Sequence, residues 1–194
     1  MELIQKIKGI LTTPSKFFEN LKKEKGLKKA FIYFMILSLF SFILTLIIQY
    51  FSNPLYLNLF GGSLSSYTFW LLLILIVIFY GLVLIFSFIM AALLHLWIII
   101  FGGKANYEKT YQLYIYSHTP NLVFGWIPII NLLIWIYSLV LLIIGTQKVH
   151  KIPKTRAILM YVIPFILIIV LLLILILFLS SILKTTPISF LRGY

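Results

Sequence analysis

Three histidines, His95, His118 and His150, are the side chains of this chain best suited to binding a metal or carrying a proton. No ligand spacing supports a three-histidine metal site, and no carboxylate or thiolate assists one. A neutral histidine hydrogen-bonded between helices is the simpler role for each. Around His118 lies a polar, aromatic patch, GGKANYEKTYQLYIYSHTPNLVFGWIP, over residues 102–128. Tyr107, Tyr111 and Tyr114 fall four and three residues apart and share one helical face; Tyr116 lies off it, beside Ser117 and His118. Tyrosine at a membrane boundary buries its ring and offers its hydroxyl to water or headgroups. Pro120 lacks an amide hydrogen, which leaves a carbonyl one turn earlier open; the hydroxyls of Ser117 or Thr119 can satisfy it. The candidate polar cluster is therefore His95, Tyr107, Tyr111, Tyr114, Tyr116, Ser117, His118, Pro120 and His150. A second set, Lys22, Lys23, Lys25, Lys148, Lys151, Lys154 and Arg156, suits anionic headgroups or an acidic partner.

The elements that must position these residues are set by composition. Of 194 residues, 62% are hydrophobic and 10% charged, against about 25% charged in a soluble domain. So little polar surface cannot cover a water-soluble particle, and the fold class is all-α integral membrane. The net charge of +12 accompanies apolar spans. It therefore points to lipid headgroups and topology signals, not nucleic acid. The chain opens on a basic, periodic stretch where a signal peptide would place its apolar region, so no cleaved leader is expected.

Leu3, Ile4, Ile7, Ile10 and Leu11 recur at helical spacing with Gln5, Lys6 and Lys8 between them, and Thr13-Pro14 reads as an N-cap followed by a first-turn proline. Phe17, Phe18 and Leu21 make the apolar face of a second short helix. Residues 1–29 are thus expected to form interfacial amphipathic helices on the cytoplasmic face. A single membrane domain follows at 30–183, with spans at 30–51, 67–101, 107–126, 129–147 and 156–183, a polar loop at 52–66 and a short tail at 184–194. His95 falls roughly 9 Å inside one end of the second span. The middle region also reads as one span over 110–144, and charge decides between the two. With five spans and a cytoplasmic N-terminus, fourteen of the sixteen bases lie inside and only Lys184 and Arg192 outside. A single middle span would move Lys148, Lys151, Lys154 and Arg156 to the outer side.

The order of short motifs is also informative. Leu11, Pro14, Phe17 and Phe18 form L-x-x-P-x-x-F-F; a span containing His95 ends in FGGKANY; Tyr116, Ser117 and Pro120 form Y-S-x-x-P; and a later span ends in GTQKVHKIPKTRA. This order resembles the Yip domain family of Ypt/Rab-interacting membrane proteins, especially its short prokaryotic members, over nearly the whole chain. The resemblance implies a five-pass helical bundle in a prokaryotic cell membrane, acting as an adaptor or membrane-shaping protein without enzymatic activity as a family trait.

Function follows along the same line. The expected role is a non-enzymatic membrane adaptor or organiser whose partners are membrane lipids, anionic at the cytoplasmic face, with a protein partner or a second copy of the chain. No cofactor is expected. The alternative is a small transporter, channel or lipid-moving protein with a polar site near His95 and His118. No G-x-S-x-G, H-E-x-x-H or phosphate-cradling loop suggests an enzyme.

Overall fold

Proline and apolar periodicity start the chain as two short helices, α1 (Leu3–Thr12) and α2 (Pro14–Asn20). The structure is a computed structural model that describes residues 3–52 and 66–185. The loop expected at 52–66 and the tail expected at 184–194 fall largely outside these residues. A single turn of 3-10 helix at Leu21–Lys23 follows α2. Pro14 occupies the first turn of α2, where its missing amide costs nothing. Thr13 does not cap α2 through its side chain; its hydroxyl donates back to the Gly9 carbonyl at 3.2 Å and closes the end of α1.

Among the described residues, four helices are long and apolar enough to cross a membrane, which makes this a multi-pass membrane protein. They lie within α3 (Lys28–Ser52), α4 (Ser66–Ile100), α7 (Asn131–His150, preceded by a 3-10 turn at Pro128–Ile130) and α8 (Lys154–Thr185). The expected spans at 30–51, 67–101, 129–147 and 156–183 correspond to these four. The expected span at 107–126 is two shorter helices, α5 (Tyr107–Ser117) and α6 (Thr119–Phe124), which join at His118. Neither is long enough to count as a span alone, because Pro120 cannot continue the hydrogen-bond ladder of α5.

The chain breaks again at 125–127, where Ile127 is extended before Pro128, and α7 packs against both α5 and α6. One continuous helix over 110–144 is therefore not formed. The chain divides into two compact units, Met1–Ala157 and Ile158–Tyr194. In the first, α5 sits at the centre, in contact with α3, α4 and α7, while α2 packs on α7 and α1 on α6. Its buried interior includes Ile10, Phe18 and Leu21 from the N-terminal segment, Tyr111, Leu113, Ile115 and Tyr116 from α5, and Leu141 from α7. The greasy face of α1 is thus divided: Ile10 is fully buried in protein while Ile4 is 75% exposed. The second unit is the bulk of α8, whose apolar side chains from Ile166 to Leu179 are exposed, with Pro164 accommodated inside the helix.

Candidate functional site

Asn106 starts α5 by accepting the Lys109 amide on its side-chain oxygen at 3.2 Å, and Glu108 adds a negative charge to the first turn, where the helix dipole favours it. Glu108, Gln112 and Tyr116 are spaced by four, and with Lys109 they present a polar stripe to residues 21–26. The Gly26 amide donates to Glu108 Oε1 at 2.7 Å. Lys109 Nζ donates to the carbonyls of Leu21 and Glu24 and to Gln112 Oε1. Gln112 Nε2 donates to the Gly26 carbonyl at 2.9 Å. Gly26 takes a φ of 81°, a conformation that favours glycine, and this turns the chain so that both its amide and its carbonyl meet α5.

The stripe ends in a charged triad. Lys6 Nζ donates to Glu24 Oε2 at 2.9 Å and to the Tyr116 hydroxyl at 2.6 Å, and that hydroxyl donates to Glu24 Oε1 at 2.6 Å. The ammonium also sits 4.5 Å from the centre of the Tyr116 ring. The Lys6 and Glu24 side chains are only 13% and 15% exposed, so each depends on its partners to offset lost hydration. Apolar packing reinforces the arrangement. Phe17 meets Tyr116 edge-on at 5.3 Å. A Cβ on Gly145 would lie 2.2 Å from Leu113 Cδ1 and 3.1 Å from the Phe18 ring, so any larger residue here would have to displace these buried side chains where α2 and α5 meet α7. Tyr137 donates to the Leu11 carbonyl at 2.6 Å. The L-x-x-P-x-x-F-F and GTQKVHKIPKTRA motifs therefore meet in space through Phe18 and Gly145.

The tyrosines differ from the boundary role read in the sequence. Tyr107 donates to the Phe88 carbonyl at 2.9 Å. Tyr111 is fully buried, stacks on Phe88 at 4.6 Å and bonds Ser87 Oγ at 3.3 Å. Tyr114 rests against His118 with ring centres 4.4 Å apart. The hydroxyls of Tyr107 and Tyr111, expected to face water or headgroups, are satisfied inside the protein because α5 is surrounded by other helices. Pro120 behaves as its chemistry requires. Thr119 Oγ1 donates to the Tyr116 carbonyl at 2.7 Å, the acceptor a non-proline amide at position 120 would have used. With its hydrogen spent there, Thr119 accepts from the Tyr33 hydroxyl at 2.9 Å. Ser117 donates to the Tyr114 carbonyl at 3.0 Å.

Two of the three histidines converge. His95 Nδ1 lies 2.7 Å from Thr110 Oγ1, which lies 3.1 Å from Nε2 of His150. His150 is fully buried, and its Nδ1 is the buried side-chain polar atom left without a hydrogen-bond partner among the described residues. It faces Gly103, where an added Cβ would lie 3.0 Å away. Gly102, at a φ of 87°, lets the amides of Gly102 and Gly103 return to the carbonyls of Ile99 and Ile98, and so ends α4 tightly enough to reach His150. His118 belongs elsewhere: its Nδ1 bonds the Tyr114 carbonyl at 2.7 Å, and it lines a small pocket with Asn121, Trp135 and Ser138. His95 and His118, read in the sequence as one polar path, are held by different partners. Among the described residues no cluster of three metal-ligating side chains exists.

The basic set sits close by. Lys148 approaches Glu19 at 3.9 Å, and Lys22, Lys23, Lys25, Lys151, Lys154 and Arg156 are exposed. Lys151 ends α7 with a φ of 58°, left-handed for a non-glycine residue. Sequence reasoning missed Lys6, Glu24, Glu108, Lys109, Thr110 and Gln112 as members of the site. Four glutamates in an apolar chain with sixteen bases were the available signal, since so rare a charge has to be placed against a partner; nothing in the sequence marked Thr110.

No curated protein and no solved structure matches this chain. The family model described as the Yip1 domain matches residues 8–176, which takes in the end of α1, all of α2, the polar stripe of α5 and the His95–Thr110–His150 chain. This sequence is therefore a member of the Yip1 domain family.

Proposed function

We propose that this protein is a non-enzymatic membrane adaptor or organiser. Its working surface is the end of the first unit where α1, α2, the turn at 102–106 and the loop after α7 come together. The observation that supports this most directly is the use made of scarce polar residues: Glu24, Glu108, Lys109, Gln112 and Tyr116 all serve to hold the N-terminal helices in place. A cluster of exposed bases, including Lys22, Lys25, Lys151 and Lys154, is left at the same end. Such a surface is rigid and cationic, as docking of an acidic partner or an anionic leaflet requires. In this reading α5 and α6 together form a fifth pass, the N-terminus is cytoplasmic and the C-terminus lies outside. The helices α1 and α2 ride in the headgroup layer, and the partner is an anionic membrane together with a protein or a second copy of the chain.

The test is photo-crosslinking in native membranes with a photoreactive residue at Lys25 or Lys151, both exposed. A discrete protein adduct from both positions is the expected outcome. Adducts to lipid alone would remove the adaptor reading and leave lipid organisation.

A further inference from the structure

A groove of about 440 Å³ opens between the N-terminal helices and α3. Its lining includes the polar side chains of Lys6, Asn20, Glu24 and Lys29. Lys29, Ile32, Tyr33 and Ile36 lie on one face of α3 at positions i, i+3, i+4 and i+7. The groove therefore runs about 10 Å along α3 at 1.5 Å per residue, from a charged mouth onto an apolar wall. That wall belongs to a membrane span, and Ile32 and Ile36 are 38% and 45% exposed.

We propose that this groove is a binding site for one anionic membrane phospholipid, with its phosphate at Lys29, Asn20 and Lys6 and an acyl chain along Ile32 and Ile36. Charge complementarity selects the headgroup. Lys6 and Glu24 offset each other, so Lys29 gives the mouth a net positive charge, and Lys22, Lys23, Lys25 and Lys28 add to it at the rim. The donors fit as well. An ammonium has three hydrogens, and Lys6 commits two, to Glu24 and Tyr116, which leaves one uncommitted. Lys29 and the Asn20 amide supply the rest. The apolar wall selects a lipid over a free phosphate, because an inorganic anion gains nothing from Ile32 and Ile36. A site of this volume, with a few polar groups among an apolar lining, has the proportions of a small-molecule pocket. The occupied groove would join α1 and α2 to α3 through a lipid. The proposal rests on the anionic-membrane partner of the reading above and gives that partner a specific seat.

The test uses the full chain, purified in detergent and titrated with dioleoyl-phosphatidylglycerol or dioleoyl-phosphatidylcholine, with bound lipid counted by native mass spectrometry. Wild type is expected to retain phosphatidylglycerol in preference to phosphatidylcholine. Lys29→Gln should weaken phosphatidylglycerol about fivefold, and Lys25→Gln, an equal loss of charge outside the groove lining, by no more than about twofold. Ile36→Trp, which fills the wall without altering charge, should weaken both lipids. Lys29 and Ile36 are exposed, so far-UV circular dichroism of these variants should match wild type. Equal losses for Lys29→Gln and Lys25→Gln would overturn the groove while sparing a general affinity for anionic membranes. Equal retention of the two lipids, or displacement of lipid by millimolar inorganic phosphate, would overturn it as well. Failure to crosslink a protein at Lys151 would remove the adaptor reading and leave these outcomes unaffected.

Discussion

Tyr116 accepts from Lys6, donates to Glu24 and packs its ring between Phe17 and Tyr33. Tyr116→Phe keeps the ring and removes the hydroxyl, so a largely buried ammonium and carboxylate each lose a partner. The expected cost is about 1–3 kcal/mol, read as a lower thermal midpoint in detergent, with Tyr137→Phe as a comparison at a single carbonyl contact. An unchanged midpoint would mean that the triad does not hold the N-terminal segment. Gly145 tests the opposite chemistry. Gly145→Ala adds one methyl where Leu113 and Phe18 leave no room. It should destabilise by about 1–3 kcal/mol through overpacking and increase tryptic cleavage near Lys22 and Lys23 as α2 is forced away from α7. Unaltered cleavage would show that α2 docks independently of this contact.

Within the first unit, the pair α5–α6 touches most of the other helices: α5 contacts α3, α4 and α7, and α6 contacts α1, α3 and α7. The pair survives a proline because Thr119 closes the open Tyr116 carbonyl and receives Tyr33 from α3. Thr119→Val removes both bonds while keeping shape, and should cost about 1–3 kcal/mol. Thr119→Ser keeps the hydroxyl and should restore most of that stability; if serine and valine behave alike, the hydroxyl is not what supports the break. The helices themselves were legible because apolar length and proline position are local properties. Four of the five expected spans match long apolar helices within a few residues, while 107–126 is two short helices, and the Pro128 break was visible because proline after an extended residue is its own signal. The surroundings of α5 were not legible. Its tyrosines have the pattern of a boundary helix, and only the approach of α3, α4 and α7 makes it an interior one.

On the scale of the molecule, the N-terminal helices, the turn at 102–106 and the loop after α7 lie at one end of the first unit. The bonds from Lys109 to Leu21 and from the Lys104 amide to the His150 carbonyl tie the three together. The chain has no cysteine, so a single introduced one reports cleanly. Lys25→Cys and Lys154→Cys should both be shielded from an impermeant thiol reagent in whole cells and both react after permeabilisation. Labelling of one alone would contradict their common end, and labelling of both would reverse the proposed orientation.

Membrane embedding, the positions of the long apolar helices and the family were readable from residue type and order, because burial in lipid constrains every span by itself and needs no partner segment. The pairing of Glu24 with Lys6 and Tyr116, the meeting of His95 with His150 across Thr110, and the separation of His118 from both were not. Each joins residues 15 to 110 positions apart. Such pairings depend on how helices turn about their axes and on which small residue, here Gly103 or Gly145, lets two of them touch. Local sequence carries the first kind of information, and packing alone supplies the second.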